Sequence, residues 1–219
     1  MLAINIKEKK FTQEILLKNI TINIDKPGIF GLVGKNGQGK TTLFKCVLGL
    51  EKFTGTCTFN SENIKKQNVA WCPTEPSVYG ELTSDEFYDF YRKLLDVKKN
   101  KTSANNLLFE IPKDKLIREF STGMKKKVYL NAVFQKAYPV YFLDEPFNGL
   151  DLESNFILIQ FLKKQAQNSI IIISSHIMEI LYANCLEIFV LNNKTVVKFE
   201  KQNFNLIEEL TVFENVELP

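Results

Sequence analysis

The chain contains the stretch Gly34-Lys35-Asn36-Gly37-Gln38-Gly39-Lys40-Thr41-Thr42, set between the apolar run Ile29-Phe30-Gly31-Leu32-Val33 and the segment Leu43-Phe44-Lys45-Cys46-Val47-Leu48. A run of β-compatible residues, then closely spaced glycines, then a helical pattern fits the strand, phosphate loop and helix of a P-loop. The stretch therefore predicts a site that binds a nucleotide. The alternative is a glycine-rich turn that matches by accident, and the patterns on both sides disfavour it.

The residue types in this stretch suit the binding of a polyphosphate. The glycines permit backbone angles that turn successive N–H groups towards one centre, and the N-terminus of the next helix adds a positive dipole. Lys40 is expected to reach the β- and γ-phosphates, and the Thr41 hydroxyl to ligate Mg²⁺. The residues expected to contact the nucleotide here are Gly34, Asn36, Gly37, Gly39, Lys40, Thr41 and Thr42.

Composition predicts one globular domain. The chain has 219 residues, 45% of them hydrophobic, and its net charge of +3 gives little electrostatic reason to expect a nucleic-acid partner. The four cysteines lack metal-ligand spacing, so we expect reduced thiols at apolar positions. Neither a signal-peptide core nor a run of membrane-spanning length is visible, so a cytoplasmic location is expected, with any membrane association supplied by a partner.

Patterns elsewhere in the chain predict an α/β fold. Alternating or β-branched segments predict strands at residues 3–7, 20–24, 55–60 and 69–72, with a turn-like stretch between the first two. Residues 82–136 change to helical spacing around a solvated connection at 97–106, as if a helical lobe were inserted. The chain then predicts strands at 140–143 and 170–173, a helix at 156–167 and a hairpin of 187–191 with 195–199. Continuous apolar strands that alternate with helices are typical of a parallel sheet covered on both faces.

Two acidic residues and a histidine follow these buried strands. Asp144 and Glu145 come at the C-terminal end of the strand at 140–143, where ligands gather in open α/β sheets. Asp144 is expected to hold Mg²⁺ through water, and Glu145 to activate an attacking water as general base. His176, the single histidine, follows the strand at 170–173 and is expected to contact a γ-phosphate. The alternatives are a turn with a helix cap for the acids and a structural or surface role for the histidine.

In their order, these motifs resemble the nucleotide-binding subunits of ATP-binding cassette (ABC) transporters. The phosphate loop is followed by Phe120-Ser121-Thr122-Gly123-Met124, Asp144-Glu145-Pro146, Asn148-Gly149-Leu150-Asp151 and Ser175-His176, which match Walker A, the signature, Walker B, the D-loop and the switch histidine of that family. The resemblance implies an ATPase with ATP and Mg²⁺ as ligands. It also implies a P-loop NTPase core of mainly parallel sheet with an N-terminal antiparallel β subdomain, formed by residues 1–75 and 137–219, and an inserted α-helical subdomain at 76–136.

The same resemblance implies a head-to-tail dimer, with an identical or a different ABC ATPase subunit. Each ATP would lie between Walker A of one subunit and the signature of the other, so that Ser121, Gly123 and Asp151 are expected to contact nucleotide. Phe11 matches the aromatic residue that stacks on adenine, although a core phenylalanine is the alternative. The lysines at 125–127 follow the signature and are interpreted as a solvated face.

Thr74 is a departure from the family pattern. The family usually has a glutamine at this position, where it contacts Mg²⁺ and the attacking water and couples to the membrane subunit. A threonine is too short to reach the same point unaided, so metal contact and coupling through Thr74 are open, and Glu75 is an alternative. The signature also has Phe-Ser-Thr-Gly-Met where Leu-Ser-Gly-Gly-Gln is most common.

The function predicted from this resemblance is that of an ATP-hydrolysing subunit that drives separate transmembrane permease subunits from the inner face of the cell membrane. The signature variant and the compact cassette resemble those of exporters. A soluble ABC protein that acts on ribosomes or DNA is the main alternative. A GTPase is disfavoured because Val196 replaces the aspartate of a guanine-reading Asn-Lys-x-Asp motif. A degenerate, regulatory cassette is disfavoured by the intact Lys40, Asp144 and Glu145.

Overall fold

Two β-sheets organise the chain, which a computed structural model describes over residues 1–97 and 107–207. The first sheet is antiparallel, with strand order β2-β1-β4-β5. Its strands are β1 (Leu2–Phe11), β2 (Glu14–Ile24), β4 (Thr54–Phe59) and β5 (Glu62–Asn63). In β1, Leu2, Ile4 and Ile6 are buried while Asn5 and Lys7 are exposed, the alternation expected of a strand with one face on the core.

The second sheet has the order β10-β9-β3-β8-β7-β6 and is parallel except for β10. Its strands are β3 (Gly28–Val33), β6 (Val69–Cys72), β7 (Val140–Asp144), β8 (Ile170–Ser174), β9 (Glu187–Asn192) and β10 (Thr195–Glu200). Every residue of β3, β7 and β8 is buried, as expected for parallel strands covered on both faces. Asn193 and Lys194 both have positive φ, which suits the tight turn of the β9–β10 hairpin.

Five helices pack around these sheets in the described part of the chain. They are α1 (Lys40–Val47), α2 (Ser84–Leu94), α3 (Thr122–Val133), α4 (Leu152–Gln165) and α5 (Met178–Asn184). Side-chain caps fix three of the helix starts: Thr83 with Glu86 forms a capping box for α2, Ser121 caps α3 and Asp151 caps α4. None of the helices within residues 1–97 and 107–207 has the length and apolarity needed to cross a membrane.

The parallel sheet separates two hydrophobic clusters. Ile170 and Ile172 point into the cluster that contains β1, β2 and α1, whereas Ile171 and Ile173 point into the cluster that contains the helices α2 to α5. Because side chains alternate along a strand, one continuous isoleucine run serves both layers. The α/β fold class, with its mainly parallel sheet and its antiparallel N-terminal sheet, is confirmed.

The main differences from the predicted elements lie at their ends. The strand predicted at 3–7 extends to Phe11, and the strand predicted at 20–24 begins already at Glu14. The charged residues between them continue the antiparallel pairing, with a bulge between Lys9 and Lys10. Helix α4 begins at Leu152, earlier than the predicted 156. The predicted connection at 97–106 lies outside the described residues except for Val97, and the division at 76 and 136 stays a prediction.

The cysteines occupy apolar positions as free thiols, as expected. Burial raises the pKa of both Cys72 and Cys185 to about 12. Thiols that remain protonated at neutral pH are poor nucleophiles and metal ligands, so these two cysteines serve as packing residues.

Candidate active site

The phosphate loop joins the end of β3 to the start of α1, and its glycines are needed for two different reasons. Gly37 and Gly39 have φ values of 82° and 106°, in the left-handed region that favours glycine. Gly34 is required by space, because a Cβ there would lie 2.6 Å from the carbonyl oxygen of Leu191. The loop therefore depends on backbone angle at two positions and on close approach to β9 at a third.

Lys40 lies at the first position of α1, and its Nζ donates a hydrogen bond to the Gly34 carbonyl oxygen at 2.6 Å. The first turn of α1 contains no acidic residue. The positive end of the helix dipole is therefore uncompensated there and adds to the charge of the lysine. This end of the sheet is suited to a polyanion.

Asp144 is buried and accepts hydrogen bonds from three hydroxyl groups. Its Oδ2 accepts from Thr41 Oγ1 at 2.5 Å and from Thr74 Oγ1 at 2.9 Å, and its Oδ1 accepts from Ser174 Oγ. Thr74 thus reaches the Walker B carboxylate, although its side chain is shorter than the glutamine usual in the family. The donors come from α1, from the segment after β6 and from β8.

The oxygen atoms around Asp144 fit Mg²⁺. Carboxylate and hydroxyl oxygens are hard ligands, and Mg²⁺ is usually held by one or two protein groups together with substrate phosphates and water. Among the described residues there is no cluster of three or more His, Cys, Asp or Glu side chains that could hold a metal by themselves. Phosphate oxygens would therefore have to complete the ligand set.

Glu145 has an unusual backbone conformation directly after β7. Its φ is 49°, a left-handed value that few non-glycine residues adopt. Its N–H donates to Ser174 O at 3.0 Å and to Ser174 Oγ at 3.1 Å. The carboxylate is 3.0 Å from Nδ1 of His176, so Ser174 at the end of β8 holds the backbone of the glutamate and His176, two residues later, contacts its side chain.

These pieces meet in one cleft of about 380 Å³. Its walls are the phosphate-loop residues at 36, 37 and 39–42, together with Thr74, Asp144, Glu145, Asn148 and His176. The structure therefore brings together the predicted Walker A residues except Gly34, the predicted Walker B acids and the single histidine. Asn148 also lines the cleft but was not predicted as a site residue. Its place in the D-loop motif was the one sequence feature that could have indicated this role.

The signature and D-loop residues are arranged differently. Ser121 accepts a hydrogen bond from Met124 N at 3.3 Å, which makes it the N-cap of α3, and it is exposed. Asp151 accepts from Ser154 N at 2.8 Å and pairs with Lys127 at 2.8 Å, and these contacts hold the pKa of Asp151 below its usual range. In the structure as described, Ser121, Gly123 and Asp151 do not line the cleft of their own chain.

Phe11 lies at the end of β1 and is 46% exposed, so the alternative interpretation as a core residue is wrong. The Nζ of Lys9 is 4.1 Å from the centre of the Phe11 ring. Lys9 is itself buried and forms a 2.8 Å ion pair with Glu51. The ring is therefore accessible and has a cation close to it.

The interpretation of the lysines at 125–127 as a solvated face is wrong for Lys126. Its side chain is only 3% exposed, and its Nζ donates to Glu145 O at 2.6 Å and to Asn148 O at 3.0 Å. Burial lowers the pKa of this amine. Three consecutive helical residues span about 200° of the helix surface, so one lysine can face the packed side while its neighbours stay partly exposed. Which of the three faces inward depends on how α3 packs, and the run of lysines does not specify it.

Comparisons with known proteins agree with this arrangement. A family model described as "ABC transporter" matches residues 17–148. The ABC transporter ATP-binding protein YtrB of Bacillus subtilis (strain 168) is 32% identical over 191 residues, which are 83% of this chain and 65% of YtrB. The putative ABC transporter ATP-binding protein AlbC of the same organism is 26% identical over 202 residues, 84% of each chain. A solved structure described as the ATP binding subunit of an ABC transporter matches with a TM-score of 0.86 at 26% identity, covering 96% of this chain and 97% of the other.

Proposed function

Because the chain belongs to the ABC transporter family and is an ABC ATPase domain, we propose that it hydrolyses ATP within a dimer and so drives separate transmembrane subunits. The observation that carries this proposal is the single cleft in which the phosphate loop, Asp144, Glu145 and His176 meet. A phosphate-binding loop beside one carboxylate for Mg²⁺ and a second for the attacking water is an arrangement suited to phosphoryl transfer to water.

The phosphate loop would hold the ATP phosphates mainly through its backbone N–H groups, with Lys40 supplying a full positive charge. Gly34, Asn36, Gly37, Gly39 and Thr42 would form the rest of this cradle. Thr41, Asp144 and Thr74 would hold Mg²⁺, since their oxygen atoms already converge. When bound, Mg²⁺ would neutralise the charge that develops on the transferring phosphoryl group.

Glu145 would act as the general base. Its carboxylate takes a proton from the attacking water while the water oxygen bonds to the γ-phosphorus and the bond to the ADP oxygen breaks. The hydrogen bond with His176 at 3.0 Å orients the carboxylate, and the exposed ring of His176 lies at the opening of the cleft, where it can contact the γ-phosphate. Glu145 thus accepts the proton, and His176 orients Glu145 and contacts the phosphate.

Three of the remaining predicted residues are assigned to contacts across the dimer, and Phe11 is assigned to the adenine. Ser121 and Gly123 lie at the start of α3 outside their own cleft, which supports the proposal that they serve the nucleotide of the partner. Asp151 would act beside them in the D-loop. Phe11, exposed at the end of β1, would stack on the adenine.

An apolar groove beside α2 supports a membrane partner. Three of its side chains, Tyr79, Phe90 and Leu94, are 57%, 40% and 65% exposed. Its other walls include Pro73, Val78 and Tyr129. Exposed apolar surface of this kind often marks a protein–protein contact. Because Pro73 precedes Thr74, a transmembrane subunit seated here would be coupled directly to the nucleotide cleft. Export is the direction that the signature variant favours.

The experiment is affinity purification of the full chain from detergent-solubilised membranes of its own cell, with partners identified by mass spectrometry. We expect a polytopic membrane protein, and we expect Leu94→Asp to lose it while ATP binding is retained. Val197→Asp, at an apolar residue of β10 that is 46% exposed, is the matched control. Recovery of only ribosomal or other soluble proteins would contradict the transporter function and favour a soluble ABC protein.

A further inference from the structure

We propose that Lys126 is a positioning residue for Glu145, holding the turn that carries the general base against the signature helix α3. This inference rests on the proposed role of Glu145. Lys126 donates from α3 to the carbonyl oxygen of Glu145 itself at 2.6 Å and to that of Asn148 at 3.0 Å. It is therefore bonded to both ends of the segment that follows β7.

The burial of Lys126 makes these two bonds costly to lose. The amine is withdrawn from solvent, and a buried polar or charged group is destabilising unless its hydrogen bonds are satisfied. Removal of the amine would also affect the carbonyl oxygens of Glu145 and Asn148, since each would lose the hydrogen bond that Lys126 donates. An exposed lysine of the same helix would have no such constraint.

Glu145 needs this support because of its backbone conformation. A non-glycine residue with φ of 49° persists only where its surroundings over-determine it. Ser174 anchors the N–H of Glu145 from β8, and Lys126 anchors the carbonyl oxygen from α3. Asn148 N also donates to Glu145 O, at 3.2 Å, which closes the turn. Lys126 is thus the link between this strained residue and α3.

Two further contacts show that α3 lies along the whole turn. A Cβ on Gly123 would lie 2.3 Å from the carbonyl oxygen of Gly149, so the helix and the D-loop backbone are in close contact. Lys127 pairs with Asp151 at 2.8 Å on the exposed side. Of these contacts, the one made by Lys126 reaches the general base. Loss of that contact should shift Glu145 without touching the phosphate loop.

A positioning role predicts a loss of rate without a loss of nucleotide affinity. In the full chain, Lys126→Met keeps an unbranched apolar stem and removes the amine donor. We expect kcat to fall about 10–100-fold with the KM for ATP nearly unchanged, because a displacement of about 1 Å at a reacting group can cost a factor of this size. Lys163→Met, at an exposed lysine of α4, is the matched control and should keep the kcat of the unmodified chain.

Affinity is tested separately in the Glu145→Gln background, where ATP should be bound but not turned over. Adding Lys126→Met there should leave the ATP affinity unchanged. If Lys126→Met does not fold, Lys126→Gln takes its place. The Gln amide is one atom shorter and cannot reach both carbonyls, so kcat should fall several-fold. Melting temperature identifies the folded variants.

An unchanged kcat in a folded Lys126→Met or Lys126→Gln chain would overturn the inference. It would also be overturned if kcat and ATP affinity fell together, since that would indicate a general structural role. Failure of the proposed function would give a different result. If Glu145 is not the general base, Glu145→Gln itself would retain turnover, whatever the behaviour of Lys126.

Discussion

The two halves of the nucleotide cleft are built in opposite ways. The phosphate loop is mainly local: residues within one short segment set its shape through the positive φ of Gly37 and Gly39 and the hydrogen bond from Lys40 to Gly34, and the close packing of Gly34 on β9 adds one distant contact. The turn after β7 is assembled from distant parts, with Ser174, His176 and Lys126 all contacting Glu145. The loop can therefore be recognised from sequence as a unit, whereas the turn depends on the packing of β8 and α3.

The largest effect on ATP affinity is expected where the local half is broken. Lys40→Ala removes the ammonium group of the phosphate loop that lines the cleft, and we expect ATP affinity to fall about 100-fold, the equivalent of about 2.7 kcal/mol. Titration with ATP by calorimetry measures it. Lys45→Ala, in the last turn of the same helix, should bind like the unmodified chain. Equal affinity of the two variants would remove Lys40 from the site.

The proposed contact of Phe11 with adenine sharpens the comparison, because Phe11 lies at the end of β1, far from the phosphate loop in sequence. Phe11→Ala should weaken ATP binding about tenfold through loss of base stacking, whereas Phe11→Tyr should preserve it. Competition with inorganic tripolyphosphate, which carries no base, provides the readout, since its binding should not change. An equal loss for ATP and for tripolyphosphate would indicate a structural role for Phe11.

A smaller effect is expected at the D-loop side of the distant half. Asp151→Ala removes the cap of α4 and the partner of Lys127, and should lower the melting temperature by about 2–4 °C at neutral pH. The folded-state pKa of Asp151 is depressed, so its contribution is present above the unfolded pKa and lost as pH falls through the folded value. The difference in melting temperature between the two chains should therefore shrink in acid. A constant difference would contradict the ionic part of this contact.

The smallest effect is expected at Thr74. Because its hydroxyl already bonds Asp144 at 2.9 Å, replacing it by the longer glutamine should preserve hydrolysis or raise it no more than about twofold. Steady-state phosphate release by Thr74→Gln measures this. A large loss of rate with ATP affinity intact would show that the threonine is adapted to this cleft in a way that glutamine cannot replace.

The contrast between the phosphate loop and the turn after β7 also explains which features could be predicted from the sequence. Glycine spacing and continuous apolar runs are local signals, so the phosphate loop, the acids after β7 and the β9–β10 hairpin could be predicted. The inward direction of Lys126 depends on which side of α3 meets the turn. The reach of Thr74 depends on the position of β6 beside β7. Both are tertiary properties that a run of residue types does not specify. The continuation of β1 through its charged residues was not predicted for a similar reason, since Lys9 is buried only because it pairs with Glu51.

The central claim is that this cleft hydrolyses ATP with Glu145 as the base. The most direct test compares phosphate release and ATP retention by the purified chain and by Glu145→Gln, with Mg²⁺ present. We predict phosphate release by the unmodified chain, and a loss of about 10²–10⁴-fold in the variant while ATP remains bound. Undiminished release by Glu145→Gln would contradict the assignment of the base and, with it, this account of the cleft.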